Sequence, residues 1–339
     1  MLDGLNEPKV EAWLNANVAE LTGPFTYSLI AGGRSNLTYL GTDANGTKFV
    51  LRRPPLGHVL ATAHDMAREH RIISAVGKTS VPVPRTLGLC TDEDVNCAPF
   101  YVMGYVDGVV LDSQERGELC PENLREKVAF DLIDVLAALH SADIDKIGLG
   151  DLAKRDGYVE RQVKRWTTQW ENSKTRELPE IEEVGKLLKA GLPKQQATVI
   201  AHGDYRLGNC LTDINTGRIA AVLDWELCTL GDPLADIGYI GVYWSEPGES
   251  LRHNDPSGLP GFPGYSALVS RYAEKTGFDV SGINYYKAFS AFRLAVISEG
   301  VYARYLGGAL GQKDPAELEP FRLQVEGASQ RAATILENL

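Results

Sequence analysis

The stretch TVIAHGDYRLGNCLTDINTGRIAAVLDWE, residues 198–226, constrains this chain more than any other. TVIA reads as a short apolar strand that runs into a polar loop, and NCLTD and IAAVLD read as the two strands of a hairpin turned at Asn-Thr-Gly. Between them HGDYRLGN packs a histidine, an aspartate, an arginine and an asparagine into eight positions. A fold that accommodates this order brings the loop and the end of the second hairpin strand together. Asp204, Asn209 and Asp224 are therefore expected to cluster.

The spacing of five from Asp204 to Asn209 matches the catalytic loop H-R-D-L-x-x-x-N, and Asp224 after an apolar strand matches the metal-binding aspartate that follows it in phosphoryl-transfer enzymes. Transfer of a γ-phosphoryl group needs a carboxylate at the acceptor hydroxyl and hard oxygen ligands that hold Mg²⁺ against the phosphates. Asp204 supplies the first as general base. Asn209, through its amide oxygen, and Asp224 supply the second. Taken singly, each residue also fits a plain role as turn former, Asx turn or strand-end cap; the three in order point to chemistry. His202 reads as a buttress of the loop. A competing reading takes His202, Asp204, Asp224 and Glu226 as a metal-dependent phosphoesterase site, but the other five histidines (His58, His64, His70, His140 and His253) lie in unrelated contexts.

A length of 339 residues exceeds one compact domain and predicts two packed lobes. FTYSLIAGG, LTYLGTD and KFVLRR predict a three-stranded antiparallel start, with Asn45-Gly46 as a hairpin turn. The AGGRSN turn between the first two strands reads first as a hairpin turn, although its exposed N–H groups could also cradle phosphate. Residues 62–76 predict one helix, VPVP cannot continue it, and TLGLC and FYVMGYV predict two more strands around an acidic loop. The lobe boundary is placed at residue 104, giving lobes of 1–104 and 105–339. Beyond it, Leu124, Val128, Leu132, Leu136 and Leu139 form an apolar helical stripe, and helical patterns recur near 156–173, 180–190, 265–276, 284–306 and 315–338. The expected class is α+β, a small antiparallel sheet lobe and a mainly helical lobe.

Lysine and arginine total 34 against 45 acids, a net charge of −11, which argues against nucleic acid as a partner. No apolar run reaches the length of a membrane span, so no membrane partner is expected. The start MLDGLNEPKV lacks a secretory pattern, and cytoplasm is the expected compartment. The five cysteines show no CxxC spacing and are expected to be reduced. Oligomeric state is not legible.

HGDYRLGN followed by VLDWELCTLGDPLADIGY resembles the aminoglycoside phosphotransferase and choline kinase branch of the protein-kinase-like superfamily. AGGRSNLTY, REHRIISAV, VPVPRTLG and LAALH extend the likeness, most closely to the phosphotransferase domains associated with some acyl-CoA dehydrogenases. The resemblance implies a two-lobed kinase-like fold with ATP between the lobes. It places Arg52 where such enzymes usually carry a phosphate-contacting lysine and Glu69 where its helix partner stands, with Arg53 as an alternative contact. Arginine is a departure, since its planar fork is not equivalent to a lysine point charge. The resemblance also implies phosphate contacts from Gly33, Ser35 and Asn36, an adenine site at Met103, Tyr105 and Val106, and charge neutralisation by Arg206. Glu226 could reach a second Mg²⁺, and Asp232 and Asp236 would brace the loop. Arg293, Glu299 and Arg304 are candidates for acceptor specificity. The acceptor is expected to be a hydroxyl-bearing small molecule, by preference a hydroxyacyl-CoA or hydroxy acid. The alternatives are an aminoglycoside or macrolide kinase and a nucleotide-binding pseudokinase, against which the intact Asp204, Asn209 and Asp224 count.

Overall fold

The structure is a computed structural model and describes residues 2–31, 36–56, 64–246, 255–308 and 314–338. The chain opens with helix α1 (Glu7–Asn17), followed by strands β1 (Thr26–Ala31), β2 (Leu37–Thr42) and β3 (Lys48–Arg53). Helix α2 (Met66–Val76), β4 (Thr86–Cys90), a short α3 (Glu93–Asn96) and β5 (Phe100–Gly104) complete the first lobe. The five strands form one antiparallel sheet in the order β1-β2-β3-β5-β4.

Strand periodicity decides what this sheet presents to its two sides. In KFVLRR, Phe49, Leu51 and Arg53 face one way and Val50 and Arg52 the other. The first face is sealed by α1, whose Val10 and Leu14 join Tyr39, Phe49, Leu51 and Phe100 in a core separate from that of the second lobe. Val50 belongs instead to the large core that includes Ile72, Ile73 and Val76 of α2. Asp65 caps α2 by accepting from the Arg68 N–H.

The second lobe contains α4 (Gln114–Glu118), α5 (Glu122–His140), α6 (Tyr158–Ser173) and α7 (Pro179–Ala190), then β6 (Val199–Ala201), β7 (Cys210–Asp213), β8 (Arg218–Val222) and β9 (Thr229–Gly231). Helices α8 (Leu234–Tyr243), α9 (Tyr265–Thr276), α10 (Ile283–Leu306) and α11 (Pro315–Glu337) follow. β7 and β8 form the expected hairpin, and β6 pairs antiparallel with β9. The stripe on α5 buries Val128, Leu132, Leu136 and Leu139 completely. Helix α8 is apolar nearly all round and is correspondingly enclosed, with Gly238 letting it approach Tyr286 of α10.

Three expectations change in detail. The three-stranded start is preceded by a helix, α1. The acidic loop winds into α3, capped by Asp92, and α2 begins at Met66 rather than 62, at the Asp65 cap. The start of the predicted helix at 62–63 and residues 247–254 of the glycine- and proline-rich stretch lie outside the described residues. No helix among the described residues is long and apolar enough to cross a membrane.

Candidate active site

The site lies where the sheet face bearing Val50 and Arg52 meets the β6–β9 region. β6 is a three-residue strand, wholly buried, and it delivers His202 and Gly203 into a sharp turn. Gly203 has φ +84°, and a Cβ there would stand 2.7 Å from the Leu227 carbonyl oxygen, so only glycine fits. The turn is fixed from below by Asp236 of α8, which is fully enclosed. Its Oδ2 accepts from the His202 N–H at 2.7 Å and its Oδ1 from the Gly203 N–H at 2.8 Å, while His140 Nε2 lies 3.2 Å from Oδ2. Burial pushes the Asp236 carboxyl up, but the bonds and charge from His140 and its other donors hold it below its ordinary value. Asp236 thus braces the loop as expected. Asp232 is equally buried, but it accepts from the Leu234 N–H at the start of α8 and does not touch the loop.

His202 is a buttress. Its Nε2 donates to the Leu223 carbonyl at 2.8 Å, and its Nδ1 accepts from the Asp204 N–H at 3.3 Å, so both ring nitrogens are committed. That geometry removes it from any metal site and with it the basis of the phosphoesterase reading.

Asp204, Asn209 and Asp224 converge as the spacing predicts. Asn209 Nδ2 donates to both the carboxylate (2.7 Å) and the carbonyl (2.8 Å) of Asp204, which assigns the nitrogen and leaves Oδ1 as the atom free to ligate. Leu223 N–H donates to the Asn209 carbonyl, tying the loop to the end of β8. Asp224 follows with φ 62° and ψ 61°, a left-handed conformation uncommon for a residue with a Cβ. Backbone held in this way at a side chain with chemical potential is a mark of functional sites.

Arg52 reaches across the lobes. Its Nη2 donates to Asp224 Oδ1 at 2.6 Å, and Nε lies 3.2 Å from Glu69 Oε1, close enough for an ion pair though not aligned as a hydrogen bond. Glu226 Oε2 is 3.9 Å away. Burial raises the Glu69 carboxyl and Arg52 opposes that rise; Tyr101, opposite Arg52 on β5, is a further partner of Glu69. Burial and the neighbouring Asp224 push Glu226 up to about 7. Arg53 is excluded as the alternative contact, because strand alternation sends it to the α1 side, where it donates to the Gly4 and Pro54 carbonyls.

Arg206 Nε lies 3.8 Å from Asp204 Oδ1, and the guanidinium stacks on the Tyr243 ring at 5.1 Å. Asn36 is buried, with Nδ2 3.5 Å from Glu226 and Oδ1 2.8 Å from His64 Nδ1. Its amide is therefore engaged with the other lobe. Gly33 and Ser35 lie outside the described residues.

Two cavities flank this cluster. One of about 400 Å³, between the lobes, is lined by Leu40, Val50, Met103, Tyr105, Val106 and Leu211, with Arg52 and Asp224 at its polar end. Tyr105 and Val106 follow β5 outside the sheet pairing. Apolar walls of this size with cation and carboxylate at one end suit a planar base and a phosphate chain. The second, about 360 Å³, lies beyond Gly203 and Glu226 and is walled by α2, α6 and α10 through Arg68, Arg165, Trp166 and Arg293. Of the acceptor candidates only Arg293 reaches it. Glu299 is buried against Thr175 and Arg176, and Arg304 is exposed.

A divalent ion would find Asn209 Oδ1, Asp224 and Glu226, all oxygen donors of the kind Mg²⁺ prefers. Among the described residues there is no cluster of three or more histidine, cysteine or acidic ligands arranged to hold a metal, so the remaining ligands must come from substrate and water. Sequence reasoning passed over Arg68, Arg165, Tyr101 and Tyr239. Tyr239, whose hydroxyl lies 3.2 Å from that of Tyr243, the ring on which Arg206 stacks, carried a signal in its place within ADIGY; the others gave none.

Residues 26–266 match the model of the phosphotransferase enzyme family. The chain is 36% identical over 293 residues to acyl-CoA dehydrogenase family member 10 of Mus musculus, covering 85% of this chain but spanning only 27% of that relative's length. A crystal structure from Ralstonia eutropha, whose aminoglycoside phosphotransferase assignment is itself provisional, superposes with a TM-score of 0.82 at 32% identity and 98% coverage of both chains. An aminoglycoside phosphotransferase solved with ADP and hygromycin B shares the fold, with a TM-score of 0.61 at 15% identity over 97% of this chain and 98% of that one. With its five-stranded sheet lobe and its helical lobe, the chain belongs to the phosphotransferase enzyme family.

Proposed function

We propose that this protein transfers the γ-phosphoryl group of ATP, with Mg²⁺, to the hydroxyl of a hydroxy acid or hydroxyacyl thioester. The observation that carries the reading is that Asp224 lines one cavity while Gly203 and Glu226, beside Asp204 and Asp224, line the other, with Asn209 bonded to Asp204. Met103, Tyr105 and Val106 would receive the base. Arg52 would face the phosphates, and Asn209 and Asp224 would hold the metal, whose charge would screen the phosphate oxygens from an incoming nucleophile.

Asp204 takes the proton of the acceptor hydroxyl as the new O–P bond forms and the bond from the γ-phosphorus to the bridging oxygen breaks; ADP leaves and the proton stays on the carboxylate. Asn209 Nδ2 keeps that carboxylate in place. Arg206, beside Asp204, offsets charge on the transferred group. No covalent enzyme intermediate is needed. The name of the mammalian relative, an acyl-CoA dehydrogenase family member, and the arginines of the second cavity both favour an acyl or acid acceptor.

The test is ADP release from Mg·ATP with hydroxyacyl-CoA thioesters, free hydroxy acids, aminoglycosides, macrolides and choline, and product mass as proof of transfer. Asp204→Asn should bind nucleotide normally and lose roughly 10² to 10⁴ in turnover. Unchanged turnover would refute the assignment of the base.

A further inference from the structure

Arg293 is a buried charge with no ion pair among the described residues. It is only 8% exposed, and its Nε is buried without a hydrogen-bond partner. A buried guanidinium left in this way is costly unless something pairs with it. What it has instead is two aromatic rings: Cζ lies 4.8 Å from the centroid of Tyr239 and 5.4 Å from that of Trp166. Ring contacts favour the cation but leave its N–H fork unused, and that fork matches the two oxygens of a carboxylate or phosphate.

The guanidinium lines the second cavity and packs on Tyr239, and Gly203, which directly precedes Asp204, lines the same cavity. Arg165, on α6 and lining the same cavity, is exposed and also makes no ion pair among the described residues; its Cζ lies 5.2 Å from the Trp166 ring. The α2 side carries Asp65 and Glu69 beside Arg68, and Glu226 lies after β8; Asp65 caps α2, Glu69 pairs with Arg52 and Arg68 donates to the Cys228 carbonyl. The charged groups that α6 and α10 bring to the cavity are both basic, Arg165 and Arg293.

We propose that Arg293, supported by Arg165, is the specificity-determining residue of the acceptor cavity, and that the acceptor carries an oxyanion which this fork binds while its hydroxyl faces Asp204. This rests on the kinase reading above and adds the recognition element. The oxyanion could belong to a free carboxylate or to the phosphates of a carrier thioester, and the fork is the same for both.

The experiment measures binding by calorimetry to the wild-type protein, Arg293→Gln, Arg293→Lys and Arg165→Gln. The probes are a series of hydroxy acids of four to ten carbons, their neutral primary amides and their CoA thioesters. Wild-type protein should bind at least one charged form at least tenfold more tightly than its amide, and Arg293→Gln should abolish that preference with ADP affinity unchanged. Arg293→Lys, which keeps charge and stem but loses the fork, should weaken it at least threefold, and it decides the matter should the glutamine variant not fold. Arg165→Gln should weaken it to a lesser degree. A stronger response from the acid or from the thioester identifies the source of the oxyanion. Equal binding of acid, thioester and amide by the wild type, or full preference in both Arg293 variants, would overturn the proposal. Turnover separates the two readings: anion binding that depends on Arg293 with no transfer from Mg·ATP would sink the kinase reading alone, and transfer only to neutral alcohols would sink this one alone.

Discussion

Replacing Asp236 by asparagine removes the charge that holds the catalytic loop and changes almost no volume. The carboxylate receives the His202 N–H and His140 Nε2 on one oxygen and the Gly203 N–H on the other. An amide can present oxygen to only one of these sides, so its NH₂ must point at a donor. The variant loses at least one charge-assisted bond, worth roughly 1.5–3 kcal/mol, and strands a buried N–H at a further cost of roughly 1–3 kcal/mol. The expected loss is about 3–5 kcal/mol, or roughly 4–7 °C in Tm for a chain of this size. Since Gly203 directly precedes Asp204, the proposed base, turnover should fall by roughly 10- to 100-fold through its misplacement, with the pH profile of the residual activity unchanged. Calorimetry and steady-state kinetics read both. The folded-state carboxyl lies below its ordinary value, so its stabilisation is complete above about pH 4 and is lost as pH falls through the lower folded value. The stability gap between wild type and variant should therefore be flat near neutrality and close in acid. A Tm within 2 °C of wild type together with unchanged turnover would refute the bracing role.

Asp224→Ala should weaken Mg²⁺-dependent ADP binding at least tenfold while leaving metal-free ADP binding much less affected, as read by titration with and without magnesium; equal affinities in wild type and variant would place the metal elsewhere. Gly238→Ala should destabilise by about 2 kcal/mol, because its Cβ would stand 2.6 Å from Tyr286 Cβ and 2.8 Å from that residue's carbonyl carbon, which α10 cannot easily move; unfolding in urea measures it.

What was legible in the sequence was what is local. The strand-loop-hairpin order of residues 198–226 fixes Asp204, Asn209 and Asp224 relative to one another within a single supersecondary unit, so their spacing could be read directly. Six helices of the second lobe showed themselves by helical patterns in the sequence, but α4 and α8 did not. Nor did helix α1, because only Val10 and Leu14 of its residues are fully buried, and its purpose is to cover a sheet that forms later in the chain. The choice between Arg52 and Arg53 was open until the pairing of β3 fixed which face each occupies, although the alternation Phe49, Leu51, Arg53 already contained the answer. The acceptor cavity was the least legible, since Arg68, Arg165 and Arg293 come from three helices far apart in sequence.

Arg52 joins Glu69 on its own lobe to Asp224 on the other, and the carboxylate it grips is one of those that would receive the metal. On the proposed function, guanidinium and magnesium would compete for a single oxygen. Arg52 neutralises Asp224 here, and a divalent ion on that carboxylate would free the fork for phosphate. A lysine, with one compact charge, could not hold Glu69 and Asp224 through separate nitrogens as Arg52 does.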